Sequence, residues 1–403
     1  MTSAVEAVWR IESAPIVATL ARMTGDLGLA EDLAQEALLE AVEQWPVSGT
    51  PRNPGAWLTA VAKRRAIDGW RRRERLEDRY RAIAHDLAET AEQDWEPVGD
   101  DVLRLVLIAC SPRLSRESQV ALTLRVVNGL TTEEIARLLL VPVPTVQARI
   151  TRAKKALAGV PFETPDPAEW SGRLGGVLGV VYLVFTEGYA ATSGAEWMRP
   201  DLAAEALRLG RVLAGLVPRE PEVHGLVALM ELQASRFAAR RGPDGEPVLL
   251  EDQDRTRWDR AQIGRGAAAL ARADALGRGR GPYALQAAIA EQHAIAASVA
   301  TTDWPRVVAL YDALGRLTPN PVVELNRAVA VSMAEGPEAG LALVDALAAR
   351  GVLGSSHLLP SVRGELLLRL GRHSEAREAL EQAAALTSNE RTRAVLLAKA
   401  AVG

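Results

Sequence analysis

LTTEEIARLLLVPVPTVQARITRAKKAL, residues 130–157, is the segment that most limits what this chain can become. Helical periodicity runs on both sides of two prolines, Pro142 and Pro144, so the segment is neither one long helix nor a strand pair. Thr131 opens a T-x-x-E capping box closed by Glu134, and Ile135, Ala136, Leu138 and Leu139 give the first helix its apolar face. Pro142 ends that helix. Val143 is the expected N-cap of the second, with Pro144 at the first helical position, where its missing N–H costs nothing. In the second helix Val146, Ile150, Ala153 and Leu157 fall on one stripe. At 100° per residue, Ala148, Thr151, Arg152 and Lys155 project opposite, with Gln147 and Arg149 on the flanks. One face suits a protein core and the other a polyanion. Many amphipathic helices carry Lys and Arg on their wet side, so this segment alone leaves DNA binding and ordinary helix packing equally open.

A second basic segment lies upstream. NPGAWLTAVAKRRAIDGWRRRER (53–75) holds Lys63, Arg64, Arg65, Arg71, Arg72, Arg73 and Arg75, with Trp57 and Trp70 interleaved. A solvated basic face explains it poorly, because Leu58, Val61 and Ala62 lie on one side of the helix and Ile67 and Trp70 on another. A helix held between a core and a nucleic acid fits better: arginines bind phosphates, and aromatic rings stack on unpaired bases. Before it, LAEDLAQEALLEAVEQWP (29–46) reads as an acidic amphipathic helix. Leu33, Ala37 and Leu38 are apolar, while Asp32, Gln35 and Glu36 line a polar face.

Composition supports helix nearly everywhere, since aromatics are 4% of the 403 residues and alanine, leucine and arginine abound. The net charge of −4 does not by itself announce nucleic acid, so the placement of charge has to carry that argument. The single cysteine, Cys110, excludes an internal disulfide framework and a multi-cysteine zinc site, and the five histidines are scattered. No metal and no cofactor are expected. Glu6 and Glu12 interrupt the N-terminus before any apolar run develops, so no signal peptide is expected. GGVLGVVYLVF (175–185) is too short to span a bilayer and reads as a buried helix. The expected location is cytoplasmic.

Two boundaries stand out. LEDRYRAIAHDLAETAEQDWEPVGDD (76–101) is acidic and reads as a linker, and PFETPDPAEW (161–170) holds three prolines. Beyond it the chain is Ala- and Leu-rich helix punctuated by Gly and Pro. Near the C-terminus Val307, Ala339 and Ala376 recur 32 and 37 residues apart, each in an amphipathic helix that follows a turn. That spacing points to tetratricopeptide (TPR)-like stacking, whose period is about 34 residues, over generic helical hairpins.

The order of these parts is itself informative. EDLAQEALLEAVEQW (31–45) followed by AWLTAVAKRRAIDGWRRR (56–73) resembles region 2 of the extracytoplasmic-function (ECF) sigma factors, and residues 130–157 resemble their region 4. The combination D-x-x-Q-E, W-L-x-x-V-A-x-x-x-x-I-D and T-V-x-x-R-I-x-R-A-K carries the likeness. YLVFTEGYAATSG (182–194), RPDLAAEALRLGRVLA (199–214) and YALQAAIAEQHA (283–294) resemble the subgroup with a long C-terminal helical extension ending in TPR-like repeats. The resemblance implies an all-α protein: a region 2 helical bundle over 1–75, the linker over 76–101, a region 4 helix-turn-helix domain over 102–160, a helical extension over 161–283 and TPR-like repeats over 284–403. It also implies two partners, core RNA polymerase and promoter DNA. Asp32, Gln35 and Glu36 would dock on the polymerase clamp helices, and the loop 45–53 would hold a flipped base of the −10 element. Trp57, Lys63, Arg64, Asp68, Arg71 and Arg72 would engage the melted −10 strand. Thr145, Gln147, Ala148, Arg149, Arg152 and Lys155 would meet the −35 element. The chain departs from the family pattern where Leu38 and Val42 replace aromatics, Pro142 replaces a Ser-type cap, and Ala148 offers only a methyl contact, one suited to thymine.

No Ser/His/Asp or paired-carboxylate constellation is present, so the chain is not expected to be an enzyme. LLEDQDRTRWDRAQI (249–263) reads as an inter-helix salt-bridge network in preference to a ligand seat, and GRGRG (277–281) as a hairpin turn, because no strand precedes it. The extension is expected to regulate the sigma regions in cis through intramolecular contact, since covalent fusion raises effective concentration. A one-component helix-turn-helix regulator with a TPR-like sensor is the alternative, but it leaves 29–75 unexplained. A DNA-free scaffold leaves the groove-facing arginines unexplained.

Overall fold

The computed structural model describes residues 3–73, 99–139, 141–163, 167–190, 198–243, 245–248 and 250–402. Among them every regular element is a helix, apart from one isolated antiparallel bridge between Arg241 and Pro247. The chain divides into two units, 1–181 and 182–403.

In the first unit, α1 (Ser3–Thr24), α2 (Leu27–Ser48) and α3 (Pro54–Arg73) pack on one another. Ile16 and Leu20 of α1 are fully buried, as are Ala30, Ala34, Ala37 and Ala41 of α2. Small residues in that stripe let the helix backbones approach closely. Asp26 caps α2 by accepting from the Leu29 N–H at 3.0 Å. Four more helices follow: α4 (Gly99–Ala109), α5 (Arg116–Val126), α6 (Thr132–Leu139) and α7 (Val143–Leu157). α4 lies against α1, and α5 and α6 both pack on α7. The expected linker lies outside the described residues as far as 98. Its last three positions are helical instead, because Asp101 is drawn into the fold: it is 2% exposed and ion-paired with Arg22 and Arg104.

The capping box forms as read. The Thr131 N–H donates to Glu134 at 2.8 Å, and the Glu134 N–H donates to the Thr131 hydroxyl at 3.2 Å. Val146, Ile150, Ala153 and Leu157 are all buried, each large member stabilising the domain by about 1.5–3 kcal/mol. The N-cap shifts by one residue: Pro142, not Val143, occupies it with ψ 144°, so Pro144 sits at the second helical position. Either placement leaves no ring where an N–H is required. Cys110, at the end of α4, is buried, and burial pushes its thiol up to about 11, which makes it an inert core residue.

α8 (Pro167–Tyr189) carries the apolar run 175–185, with Val177, Val180, Val181 and Phe185 fully buried. Its first half, through Glu169, Gly172, Arg173 and Gly176, lines a cavity together with Cys110, Leu114, Arg116 and Gln119.

The second unit continues through α9 (Pro200–Leu216), α10 (Pro221–Ala234), α11 (Arg260–Ala275), α12 (Pro282–Ile295), α13 (Trp304–Leu317), α14 (Pro321–Glu335), α15 (Pro337–Ala349), α16 (Leu358–Arg369), α17 (His373–Leu386) and α18 (Glu390–Val402). Proline in the first turn opens six of these helices, where it is pre-set for helix and removes no needed donor. Asp259, Asp303 and Asn320 cap three of them through their side chains. From α12 onward each helix packs on the next. Val307 and Ala376 of the repeat positions are buried, while Ala339 is half-buried. The close contact there falls one residue later, at Gly340, whose added Cβ would meet Ser332 at 2.4 Å. GRGRG forms the turn between α11 and α12, with Gly277 and Gly279 at positive φ.

Among the described residues, LLEDQDRTRWDRAQI contributes one ion pair to a distant helix and not the salt-bridge network expected of it. Asp254 and Asp259 cap short turns and α11, and Arg255 donates to the carbonyls of His293 and Ala296. Glu251 forms an ion pair with Arg369 at 2.5 Å. Arginines that sequence would match to nearby carboxylates satisfy backbone oxygens instead, because the turns leave those oxygens without helical partners.

Candidate nucleic-acid interface

The three sets of residues picked from the sequence lie on three helices of the first unit. On α2 the buried stripe leaves Asp32 and Glu36 exposed and Gln35 half-buried. One turn further along the same face, Leu39 is 63% exposed. An apolar side chain bare beside carboxylates is a feature the sequence reading missed, and its i+3/i+4 spacing from Glu36 and Gln35 was the available signal.

α3 presents its basic residues as a graded set. Leu58, Val61, Ala62 and Ala66 are buried against the bundle, and Arg64 and Asp68 are exposed. Lys63 is half-buried, and burial with Arg22 nearby holds its ammonium below the ordinary lysine value. Trp57 packs edge-on against buried Trp45 at 5.5 Å, so part of its ring belongs to the fold. Arg71 and Arg72 have side chains outside the described residues. Arg65, read only as part of the basic run, bridges back to α2, donating to Glu36 at 3.1 Å and Glu40 at 2.7 Å.

On α7, Gln147, Ala148, Thr151, Arg152 and Lys155 are exposed, and Thr145 and Arg149 are half-buried. The Glu117 carboxyl is held below its ordinary value by hydrogen bonds at the start of α5, and the fields of Arg149 and Arg152 add to that. The face is cationic, continuous and set on a helix fixed by four core residues. It can neutralise phosphates and present side chains to base edges.

The helices carrying these sets are clasped together. Glu31 of α2, 5% exposed at its side chain, accepts from Arg125 of α5 at 2.8 Å and from Lys154 of α7 at 2.5 Å. Burial opposes its charge, yet the two cations outweigh burial and hold the carboxyl below its ordinary value. Lys154 also donates to Asp32 at 2.8 Å. Arg10 of α1 pairs with Glu134 at 2.8 Å. Gly129, at φ +70°, packs so closely on α1 that an added Cβ would lie 2.4 Å from the Ser13 hydroxyl. Glu31, Arg125 and Lys154 were not singled out from the sequence. Glu31 lies in helical register with Leu27, Ala34 and Leu38, and a carboxylate on a core stripe signals a buried partner. Lys154 is likewise four residues past Ile150 and three before Leu157.

The comparisons with known proteins fall on these same helices. Sigma-70 region 2 matches residues 12–76 and sigma-70 region 4 matches residues 104–157. The ECF RNA polymerase sigma factor SigL of Mycobacterium tuberculosis is 34% identical over 140 residues, covering 34% of this chain and 76% of that protein. The chain belongs to the ECF sigma factors. SigK of Mycobacterium ulcerans, another ECF RNA polymerase sigma factor, is 31% identical over 145 residues and is covered to 75%. The sigma factor therefore binds core RNA polymerase and directs promoter-specific initiation, and the region 2 match removes the ground for reading it as a one-component regulator. Its extension is a separate matter. Residues 173–274 match a family of unknown function, and an uncharacterised protein of Rhizobium meliloti is 46% identical over 386 residues, 92% of this chain and 89% of its own length. No helix among the described residues is long and apolar enough to cross a membrane.

Proposed function

We propose that this sigma factor works by opening: α2 docks on polymerase through Asp32, Gln35 and Glu36 with Leu39 one turn beyond them, and α7 leaves α2 to reach the −35 element. The observation that carries this reading is the clasp of Glu31 and Asp32 by Lys154. Promoter elements centred near −10 and −35 stand about 25 base pairs apart, roughly 85 Å of duplex at about 3.4 Å per base pair. Both α3 and α7 pack on α2, a helix only about 33 Å long at about 1.5 Å per residue. The clasped unit is too short for both elements, so regions 2 and 4 separate when the polymerase is engaged.

In this reading Trp57, Lys63, Arg64, Asp68, Arg71 and Arg72 hold the melted −10 strand. Melting needs no catalytic residue, because binding energy from captured bases compensates unstacking. Thr145, Gln147, Ala148, Arg149, Arg152 and Lys155 face the −35 groove, with Arg149 and Arg152 as the residues suited to guanine or phosphate contact.

The extension regulates these steps in cis, and its last helices are TPR-like. Support comes from the first half of α8, which lines a cavity with the α4–α5 corner of region 4, and from the consecutive packing of α12 to α18.

Core polymerase and the purified full-length protein, tested on a library of genomic promoter fragments, yield promoter-specific transcripts that polymerase alone does not. Truncation near residue 160 changes promoter output. Absence of both transcripts and polymerase binding would overturn the opening mechanism, and unchanged output after truncation would remove regulation by the extension.

A further inference from the structure

The second unit holds an open-mouthed cavity of about 670 Å³, within the roughly 300–1,000 Å³ of small-molecule sites. Its walls come from α8, α10, α12, α13, α14 and the turn that follows α10. Its lining mixes apolar groups, Ile289, Leu314, Val322 and Val323, with the amides of Gln233, Gln286 and Asn326. The Tyr182 hydroxyl, in the same wall, donates to the Gln286 carbonyl oxygen at 3.2 Å.

The charge in this cavity is one-sided. Arg236 lines it, and among the described lining residues there is no Asp or Glu. Elsewhere in the unit arginines sit on carboxylates: Arg211 and Arg265 on Glu231, Arg327 on Asp312, Arg350 on Glu324. Among the described residues Arg236 instead donates its Nε to the neutral side chain of Gln253 at 3.1 Å, with its guanidinium 5.3 Å from the Trp258 ring centre. Arg236 is half-buried, so its guanidinium stays accessible to a counter-charge that no described lining residue supplies.

The neighbouring polar atoms point the same way. His293 lines the cavity edge-on to Trp304 at 5.3 Å, and its Nδ1 finds no hydrogen-bond partner among the described residues. Burial, with Arg236 and Arg255 adding to it, pushes its pKa down to about 4, so the ring is neutral and offers both an acceptor and a donor. Trp258 Nε1 and Arg255 Nη2, behind that wall, are also buried without partners. Of these three atoms His293 Nδ1 belongs to the cavity lining, where a bound group can meet it.

We propose that this cavity binds a small organic acid with a flat apolar body, its carboxylate on the Arg236 guanidinium and its ring against Ile289, Leu314 and Val323. A single planar guanidinium matches the two oxygens of a carboxylate. A phosphate dianion would call for further cations on the wall. The amides and His293 read polar substituents on the ring. The site stands whether or not the extension governs the sigma regions.

The test uses the full-length protein with benzoate, salicylate, phenylacetate and indole-3-acetate, each beside its neutral amide, by calorimetry and tryptophan fluorescence. At least one acid binds saturably with one site per chain, and its amide binds at least about tenfold more weakly, as expected for a charged hydrogen-bond pair. Arg236→Gln weakens the acid by about tenfold or more, and Arg236→Lys by less. Ala290→Phe, which fills the cavity and leaves Arg236 in place, abolishes binding, with circular dichroism confirming that each variant is folded. No saturable binding of any acid up to about 10 mM, or equal binding of acid and amide, would overturn the proposal. Undiminished binding by folded Arg236→Gln would do the same.

Discussion

Lys154 Nζ lies 2.8 Å from Asp32 Oδ1, so a lysine of the helix proposed to read the promoter rests on a carboxylate of the helix proposed to dock on polymerase. The same ammonium is 2.5 Å from buried Glu31, which Arg125 also holds. The exposed half of this arrangement is worth little by itself, since Asp32 is 67% exposed at its side chain and solvent screens it. The buried half carries the energy, because a charge stripped of water needs its partners.

Replacing Lys154 with alanine leaves Glu31 with Arg125 alone. We expect it to weaken the closed arrangement of regions 2 and 4 by about 1–3 kcal/mol. Hydrogen exchange in α2 and α7 reads the loss, and core-polymerase affinity rises in step as the closed state becomes less favourable. Unchanged exchange together with unchanged affinity would sink this part of the account.

The clasp is acid-sensitive. Glu31 is held below its ordinary value in the closed state. A carboxyl so lowered contributes fully above its unperturbed value, and that contribution is lost as pH falls through the lowered one. Resonance energy transfer between labels on regions 2 and 4 should stay constant from neutral pH down to the carboxylate range, then fall. Glu31→Gln should remove most of that limb, and an unaltered limb in the variant would assign it to other groups.

Much of the helix pair at 130–157 was legible in the sequence because its determinants are local. A capping box spans four residues and a buried stripe repeats every turn. The clasp was not legible as a pairing: Glu31 and Lys154 are separated by 123 positions, and helical register shows only that each sits on a core face. The single-residue shift of the cap to Pro142 has a local cause, since its extended ψ suits an N-cap as well as Val143 would. In 249–263 the charges were visible but their partners were backbone carbonyls, which a sequence does not display.

On the reading face of α7, Arg149→Ala and Arg152→Ala should each lower −35 binding by about 1–3 kcal/mol if they contact a base edge. A residue that contacts phosphate should instead lower the salt slope of log K by about 0.9. Holoenzyme binding to a mapped promoter at several salt concentrations separates the two. No change in either quantity for both variants would remove α7 from the promoter.

Gly129→Ala should open the unit from the region 4 side. Its φ of +70° disfavours any other residue, and the new Cβ would press on Ser13 and the Trp9 carbonyl. A cost of about 1–3 kcal/mol is expected from strain and overpacking together. Gly25, also at positive φ but with open space around it, is the control for backbone strain alone. Thermal melting should show a larger loss for Gly129→Ala, and equal losses would deny the tight contact.

The most direct measurement locks the unit shut. Arg10 of α1 and Glu134 of α6 meet at 2.8 Å, so cysteines in their places can be joined across α1 and α6 by a cleavable bismaleimide. The native Cys110 is buried with its thiol raised to about 11 and does not compete. With core polymerase and a responsive promoter, the linked protein should give no promoter-specific transcripts, and cleaving the linker should restore them. Full transcription by the linked protein would contradict the account, because it would mean that regions 2 and 4 initiate without separating.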